Sequence, residues 1–172
     1  ENNLIKINEI KNLVIFQIAQ YKNSLLDLKN INIDDLKISN EALKVTSNVN
    51  TRILWSGPKN WLLVSNKKEL KETIKKIFNE KDFAVTDLSH SKASIELKGE
   101  NSIEVLKKGC PYNFNELKQG MSINSTFNGI AITIDLIQDN PKKVRIFCLR
   151  SFGTSLYHSI TDASLEYGYI VD

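Results

Sequence analysis

The chain has 172 residues, of which 41% are hydrophobic and 25% are charged, values close to those of ordinary globular domains. A chain of this length buries enough apolar surface to fold without disulfides or a metal, and we expect a single domain over residues 1–172. Its net charge of +3 is spread along the chain rather than gathered in a basic stripe interleaved with aromatic residues, which argues against nucleic-acid binding.

The first fifty residues contain one clear signal. The apolar run at 13–18 predicts a strand, and residues 24–29 predict a weak helix. Residues 30–50 show no clear periodicity, so we expect them to be mostly irregular.

A hairpin and a helix are predicted next. Residues 53–55 and 61–64 are strand-like runs on either side of Gly57 and Pro58, which favour a turn, so a loop of about five residues is expected. Between residues 67 and 79, apolar side chains recur at the spacing of one helix face: Leu70, Ile74, Ile77 and Phe78. The lysines on the other face are expected to be solvated.

Two strands and a short helix follow in the middle of the chain. Residues 83–88 are largely apolar. In the strand at 93–97, alternation places two sets of side chains on opposite faces: Ala93, Ile95 and Leu97 on one, Ser94 and Glu96 on the other. Residues 102–108 predict a short helix, and Gly109 is expected to form its left-handed C-cap.

The C-terminal part repeats this succession. A strand at 130–136, a turn at 139–141 and a returning strand at 144–149 predict a second hairpin. A helix over 152–167 and a last strand over 169–171 complete the chain.

The two halves, about 10–90 and 91–172, therefore have similar orders of elements. Matching landmarks, such as Pro58 and Pro141 in the two hairpin turns, lie roughly 80 positions apart. Each half fits the β-α-β-β-α-β arrangement of a ferredoxin-like unit. We predict an α+β fold in which two such halves are packed as one domain, with a plain single α+β sheet as the alternative.

A catalytic constellation is not evident. Asp87, Ser89 and His90 offer an acid, a nucleophile and a base within four residues, but triads are assembled from separated elements, so this adjacency carries little information. His90 is expected to hydrogen-bond a loop or to contact a ligand or partner. No glycine-rich phosphate loop and no paired carboxylates occur, so we predict no catalytic residue on this chain.

Cys110 and Cys148 lie far apart without CxxC spacing, and with two histidines they do not form a zinc set, so no metal is expected. Cys148 is expected in the core, and Cys110 is expected to be packed, with a reactive thiol as the alternative. No apolar run is long enough to span a membrane and no signal peptide is evident, so we expect a cytoplasmic protein without membrane contact.

Four segments, taken together and in order, carry a family resemblance. They are 53–64 (ILWSGPKNWLLV), 85–93 (VTDLSHSKA), 106–111 (LKKGCP) and 149–153 (LRSFG), the last leading into a helix with Asp162 and Ala163. Together they resemble the gamma subunit of heterotetrameric sarcosine oxidase, over roughly residues 10–168. Two residues depart from the family pattern. The family commonly has a small residue or Gly where this chain has Ser91, and Ala where this chain has Gly153.

The resemblance implies a fold related to the folate-binding domain of glycine-cleavage aminomethyltransferase. It also implies a complex whose alpha, beta and delta subunits, chiefly alpha, are the partners of this chain. FAD, FMN, NAD and tetrahydrofolate are then expected on the partner subunits, with no cofactor on this chain. Such a complex converts sarcosine to glycine, peroxide and 5,10-methylenetetrahydrofolate, and this chain is expected to be its non-catalytic structural subunit.

Five residues are candidates for the partner interface: Trp55, Trp61, His90, Arg150 and His158. Exposed tryptophans are enriched at binding hot spots, although both tryptophans also fit the core of the hairpin. Arg150 is expected to pair with a partner carboxylate or to cap the strand end. His158 lies two positions from Leu156, off the apolar face of the last helix.

Two other functions remain open. The first is a stand-alone tetrahydrofolate-binding or aminomethyltransferase-like protein, against which stand the short length and the lack of a carboxylate-rich site. The second is a subunit of a related oxidase complex that acts on another N-methylated amine.

Overall fold

In a computed structural model of the chain, residues 4–171 are described. They fall into two compact units, which we call the N-terminal unit (residues 12–90) and the C-terminal unit (residues 4–11 together with 91–171). The first strand, β1 (Ile5–Glu9), thus belongs to the sheet of the C-terminal unit. Of the helices in residues 4–171, none has both the length and the apolar character that a membrane span needs.

The N-terminal unit is built on a five-stranded antiparallel sheet. Its elements are β2 (Val14–Gln20), β3 (Asn32–Ile33), β4 (Leu36–Lys37), β5 (Val45–Ser47), β6 (Thr51–Gly57), β7 (Asn60–Ser65), α1 (Leu70–Ile77) and β8 (Phe83–Asp87). The sheet order is β5-β6-β7-β2-β8, while β3 and β4 form a separate small hairpin. The part β6-β7-β2-β8, with α1 connecting β7 to β8, has the strand order of a ferredoxin-like unit.

The connection between β2 and β6 differs from the prediction. The helix expected at 24–29 is absent there, and a 3-10 turn at Leu28–Asn30 follows instead, with the Asp27 side chain accepting a hydrogen bond from the Lys29 backbone N–H. A hydrogen bond between an Asp side chain and the nearby backbone competes with helix formation. The region expected to be irregular instead contains the β3–β4 hairpin and the edge strand β5.

The C-terminal unit contains the larger sheet and the other two helices. Besides β1, its elements are β9 (Lys92–Lys98), α2 (Ser102–Lys107), β10 (Ser122–Phe127), β11 (Ile130–Asp139), β12 (Lys142–Leu149), α3 (Gly153–Ser164) and β13 (Tyr169–Val171). The sheet order is β10-β11-β12-β9-β1-β13, with every pair antiparallel except β1–β13. In a plain ferredoxin-like unit the last strand would pair with β9, but here β1 takes that position and β13 pairs with β1.

The two faces of this sheet have different chemistry. On one face, a row of fully buried apolar side chains crosses four strands: Ile7, Leu97, Val144 and Leu136. Helices α2 and α3 both pack against β12. On the opposite face, the register aligns a polar row across five strands: Asn8, Glu96, Arg145, Asp135 and Ser122. The alternation predicted in β9 is confirmed, yet Ser94 and Glu96 on the polar face are buried as well.

The core of the N-terminal unit forms between α1 and the sheet. Leu70, Ile74 and Phe78 of the predicted helix face are buried, and the Phe78 ring meets the Phe83 ring edge to face with centroids 4.8 Å apart. The β6–β7 turn consists of Pro58 and Lys59 alone, because Gly57 and Asn60 still pair across the strands. The hairpin is confirmed, but its loop is shorter than the five residues expected.

Gly109 does not adopt the left-handed conformation expected of a C-cap. A Cβ at this position would lie 2.7 Å from Asn128 Oδ1 and 2.9 Å from the Phe127 ring. The backbone N–H of Asn128 also donates to the Gly109 carbonyl at 2.9 Å. Glycine is thus required here because the β10–β11 turn approaches closely. This tertiary contact cannot be predicted from the sequence around Gly109.

Asp34 holds the β3–β4 hairpin to the rest of the N-terminal unit. Its carboxylate accepts hydrogen bonds from the Lys67 ammonium, from Thr51 Oγ1 at 2.6 Å and from Asn48 Nδ2 at 3.2 Å. The bond from Lys67, followed by that from Thr51, lowers the Asp34 pKa from 3.8 to about 2. The ionised carboxylate therefore stabilises the folded state.

We expect Asp34→Asn to lower the free energy of unfolding at pH 7 by about 1–2 kcal/mol, after allowance for solvent screening. Because the folded pKa lies below the unfolded value, this contribution is complete above pH 5 and disappears as the pH falls to about 2. Urea unfolding between pH 7 and pH 2 measures both effects, with exposed Asp35→Asn as the control. If Asp34→Asn matched the wild type at pH 7, this account of the hairpin would be wrong.

Candidate functional site

The Asp87–His90 segment forms a structural turn at the end of β8. Ser89 Oγ accepts a hydrogen bond from the Ile15 backbone N–H at 3.0 Å, and Asp87 Oδ1 accepts one from the Ser89 backbone N–H at 2.9 Å. Asp87 Oδ2 also pairs with Lys71 Nζ at 3.1 Å. Partial burial raises the Asp87 pKa, but the Ser89 hydrogen bonds and Lys71 lower it more, leaving it below its ordinary value. Asp87 and Ser89 thus fasten β8 to β2.

The two tryptophans lie opposite each other in the β6–β7 hairpin. Trp61 is 1% exposed within the core of the N-terminal unit, and its Nε1 donates to the Ser39 carbonyl at 2.8 Å. Trp55 is partly buried and packs against the same core. Of the two interpretations that the sequence allowed, the structure gives Trp61 the position of a core residue.

The remaining candidates are exposed and belong to different units. His90 lies in the N-terminal unit, directly after the Ser89 turn. His158 lies on α3 in the C-terminal unit, with its ring edge to face with that of Tyr157 at 6.0 Å. Arg150 begins a 3-10 turn, Arg150–Phe152, that joins β12 to α3. The C-terminal unit therefore places Arg150 and His158 at the start and in the middle of the same helical segment.

Arg150 is held firmly at the end of β9. Its backbone N–H donates to the Ser91 carbonyl at 2.9 Å, and its Nη2 donates to the Lys92 carbonyl at 3.1 Å. Arg150 thus caps the strand end, one of the two roles expected from the sequence. The guanidinium also lines a groove beside it.

This groove, which we call the α3 groove, has a volume of about 530 Å³ and lies within the C-terminal unit. Ala93 and Ile95 of β9 contribute apolar surface, and α3 contributes Gly153, Thr154 and Tyr157. A Cβ on Gly153 would lie 3.1 Å from the Ala93 Cβ, so the start of α3 sits close against β9. The volume is within the range of about 300–1,000 Å³ typical of binding pockets.

Charged side chains border the α3 groove. Arg150 and Lys11 are the cations, and Glu9 is paired with Lys11 through an Nζ–Oε2 distance of 3.3 Å. The N-cap of α3 is Phe152, which offers no side-chain acceptor, and the first turn of the helix contains no acidic residue. The positive end of the α3 dipole therefore adds to the potential of the two cations.

Sequence reasoning identified Arg150 but not the rest of the groove. Glu9 and Lys11 come from β1 and its end, more than eighty positions from Ala93, and only the pairing of β1 with β9 brings them together. The alternation of Ile5 and Ile7 with polar neighbours was a usable strand signal. It does not reveal which sheet the strand joins.

Both cysteines lie in the interior of the protein. Cys110 Sγ lies 3.2 Å from Ser125 Oγ, and Cys148 is fully buried, which raises the pKa of its thiol. Within residues 4–171, no three His, Cys, Asp or Glu side chains are grouped in a way that would hold a metal ion. Buried Glu96 pairs with Arg145 at 2.8 Å and with Lys143 at 3.0 Å.

Comparison with known proteins identifies the family. The profile of the sarcosine oxidase gamma subunit family matches residues 29–166. The chain belongs to this family. The sarcosine oxidase subunit gamma of Corynebacterium sp. (strain U-96) is 27% identical over 118 residues, which are 68% of this chain and 58% of that protein. The matched region thus spans just over half of the length of this related gamma subunit.

Solved structures confirm the predicted fold. A chain of the heterotetrameric sarcosine oxidase from Corynebacterium sp. U-96, in complex with pyrrole 2-carboxylate, superposes with a TM-score of 0.84 at 20% identity, covering 96% of this chain and 86% of that one. Glycine cleavage system aminomethyltransferase T from Bartonella henselae gives a TM-score of 0.65 at 11% identity, covering 99% and 48%. The α+β class predicted from the sequence pattern and the relation to the aminomethyltransferase fold implied by the resemblance are confirmed.

Proposed function

We propose that this chain is a non-catalytic structural subunit of a cytoplasmic sarcosine oxidase complex. The observation that carries the proposal is the match of the gamma subunit family over residues 29–166. The partners are then alpha, beta and delta subunits, chiefly alpha. FAD, FMN, NAD and tetrahydrofolate are carried by those partners, which oxidise sarcosine to glycine with formation of peroxide and 5,10-methylenetetrahydrofolate.

The chemistry of the described side chains supports a structural role. Ser89 and Asp87 are engaged in fastening two strands together, and the Cys148 thiol is fully buried. Glu96 is committed to an ion network with two cations. Asp87, Ser89 and Glu96 are therefore occupied in holding the fold.

Co-expression with the large oxidase subunits tests the proposal. With an affinity tag on this chain, we expect the alpha, beta and delta subunits to be retained in equal molar amounts after washing at moderate salt. Recovery of the chain alone, from cells in which all the subunits accumulate, would contradict it.

A stand-alone tetrahydrofolate-binding protein is the competing function. The likeness to the aminomethyltransferase is a likeness of fold, at 11% identity, and fold alone does not carry function. In isothermal titration of the isolated chain with tetrahydrofolate, we therefore expect no saturable heat. Saturable binding at micromolar ligand would favour the competing function instead.

A further inference from the structure

We propose that the polar face of the six-stranded sheet is a binding site for ordered water inside the C-terminal unit, formed by Asn8, Ser94 and Arg145. These residues belong to the three neighbouring strands β1, β9 and β12. The inference is independent of the proposed function, because it concerns how this chain satisfies its own buried polar groups.

The three residues lie on one face of the sheet around Glu96. The strand register places Asn8 and Arg145 directly opposite Glu96, one on each side. Ser94 precedes Glu96 by two positions in β9, so its side chain points to the same face. Side chains directly opposite each other in antiparallel strands have Cβ atoms about 4.5–5.5 Å apart, and diagonal neighbours are about 7–8 Å apart. Neighbouring polar groups of this cluster are thus within reach of a bridging water molecule.

Each of the three side chains has a buried polar atom without a hydrogen-bond partner among the described residues: Asn8 Oδ1, Ser94 Oγ and Arg145 Nε. Ser94 is 3% exposed, so its hydroxyl is removed from bulk solvent. Buried polar atoms in folded proteins nearly always have a partner, either in the protein or in ordered water. Three such atoms around one carboxylate therefore indicate a bound ligand that they share.

The open groups require a ligand that both donates and accepts hydrogen bonds. Arg145 Nε is a donor, Asn8 Oδ1 is an acceptor, and the Ser94 hydroxyl can act as either. The Glu96 carboxylate, which pairs with Arg145 and Lys143, would repel an additional anion, and the two cations would repel an additional cation. Water meets both requirements without charge and makes about three hydrogen bonds when it is buried.

Two other buried serines show how Ser94 differs. Ser65 Oγ lies 2.8 Å from Thr51 Oγ1 and bonds it, and Ser102 Oγ donates to the Gly99 carbonyl at 2.7 Å. Both hydroxyls are thus satisfied within the protein, whereas the Ser94 hydroxyl has no such partner among the described residues. Ser65 therefore provides a matched control.

Two measurements on the purified chain test the proposal. A high-resolution crystal structure locates ordered water directly, and oxygen-17 magnetic relaxation dispersion counts the water molecules that stay bound in solution for longer than the protein takes to tumble. Ser94→Val removes the hydroxyl and fills its surroundings with methyl groups. Ser65→Val makes the same change at a buried strand position where the hydroxyl bonds Thr51. Urea unfolding shows whether each variant remains folded.

In the crystal structure, we expect a water molecule about 2.5–3.2 Å from Ser94 Oγ that also bonds Asn8 Oδ1 or Arg145 Nε. In solution, we expect Ser94→Val to lose about one bound water relative to the wild type, and Ser65→Val to retain the wild-type number. If Ser94→Val does not fold, the wild-type crystal structure decides.

Three results would show that the proposal is wrong. The first is a crystal structure in which Asn8 Oδ1, Ser94 Oγ and Arg145 Nε bond only protein atoms, for example after rotation of the Asn8 amide. The second is an ion at the position expected for water. The third is a folded Ser94→Val variant that retains the wild-type number of bound waters.

Discussion

Glu96→Ala is expected to lower the free energy of unfolding by about 3–5 kcal/mol, because it removes the carboxylate that pairs with the largely buried Arg145 guanidinium. Glu96 is 8% exposed in the middle of the six-stranded sheet, and its two carboxylate oxygens pair with Arg145 and Lys143. Among the described residues, Arg145 Nε is buried without a hydrogen-bond partner, while Arg145 Nη2 donates to Glu96 Oε2 at 2.8 Å. Urea unfolding followed by circular dichroism measures the loss.

Two companion variants separate the parts of this network. Lys143→Met removes the more exposed cation, whose side chain is 31% exposed, and is expected to cost about 1 kcal/mol or less. Glu96→Leu combined with Arg145→Met removes both members of the buried pair and is expected to be more stable than Glu96→Ala alone. A loss of less than 1 kcal/mol in Glu96→Ala would contradict this assignment of the network.

Trp61→Ala is expected to lower the free energy of unfolding by about 3–5 kcal/mol, the cost of removing a large buried aromatic side chain. Trp61 lies in the core of the N-terminal unit and bonds the Ser39 carbonyl, so it joins the loop before β5 to the hairpin. Trp61→Phe keeps most of the apolar volume and is expected to lose about 1–2 kcal/mol, chiefly from the missing N–H donor.

The same measurement on Trp55→Ala supplies the comparison. Trp55 is partly buried against the same core, so a smaller loss is expected. Urea unfolding monitored by circular dichroism avoids dependence on tryptophan fluorescence. If Trp61→Ala unfolded like the wild type but failed to bind the large subunits, Trp61 would be an interface anchor rather than a core residue.

The long elements of the fold were predictable from the sequence because their periodicity is local. The helix at 67–79 and the strand at 93–97 each showed one apolar face, and the structure buries those faces. The segments between residues 24 and 50 were not predictable, because their conformation depends on the positive φ angles of Asp34 and Asp35 and on Asp34 bonds to distant residues. These are tertiary interactions that override weak local preferences.

The candidate site was predictable only in part for a related reason. Arg150 stood out as a charged residue at a strand end, but the groove next to it also requires β1 to pair with β9. That pairing places the first strand of the chain in the sheet of the C-terminal unit, while the pseudo-repeat predicted from sequence began near residue 10 and omitted it. The spacing of residues in the sequence does not reveal which distant strand β1 pairs with.

Sedimentation velocity of this chain mixed in equal molar amounts with the alpha–beta–delta assembly tests the central claim most directly. At micromolar concentration, we expect the 19.6 kDa chain to disappear from its own slow boundary and to sediment with the assembly at one copy per complex. A slow boundary that retained all of the chain in the presence of intact assembly would contradict its proposed role as a subunit.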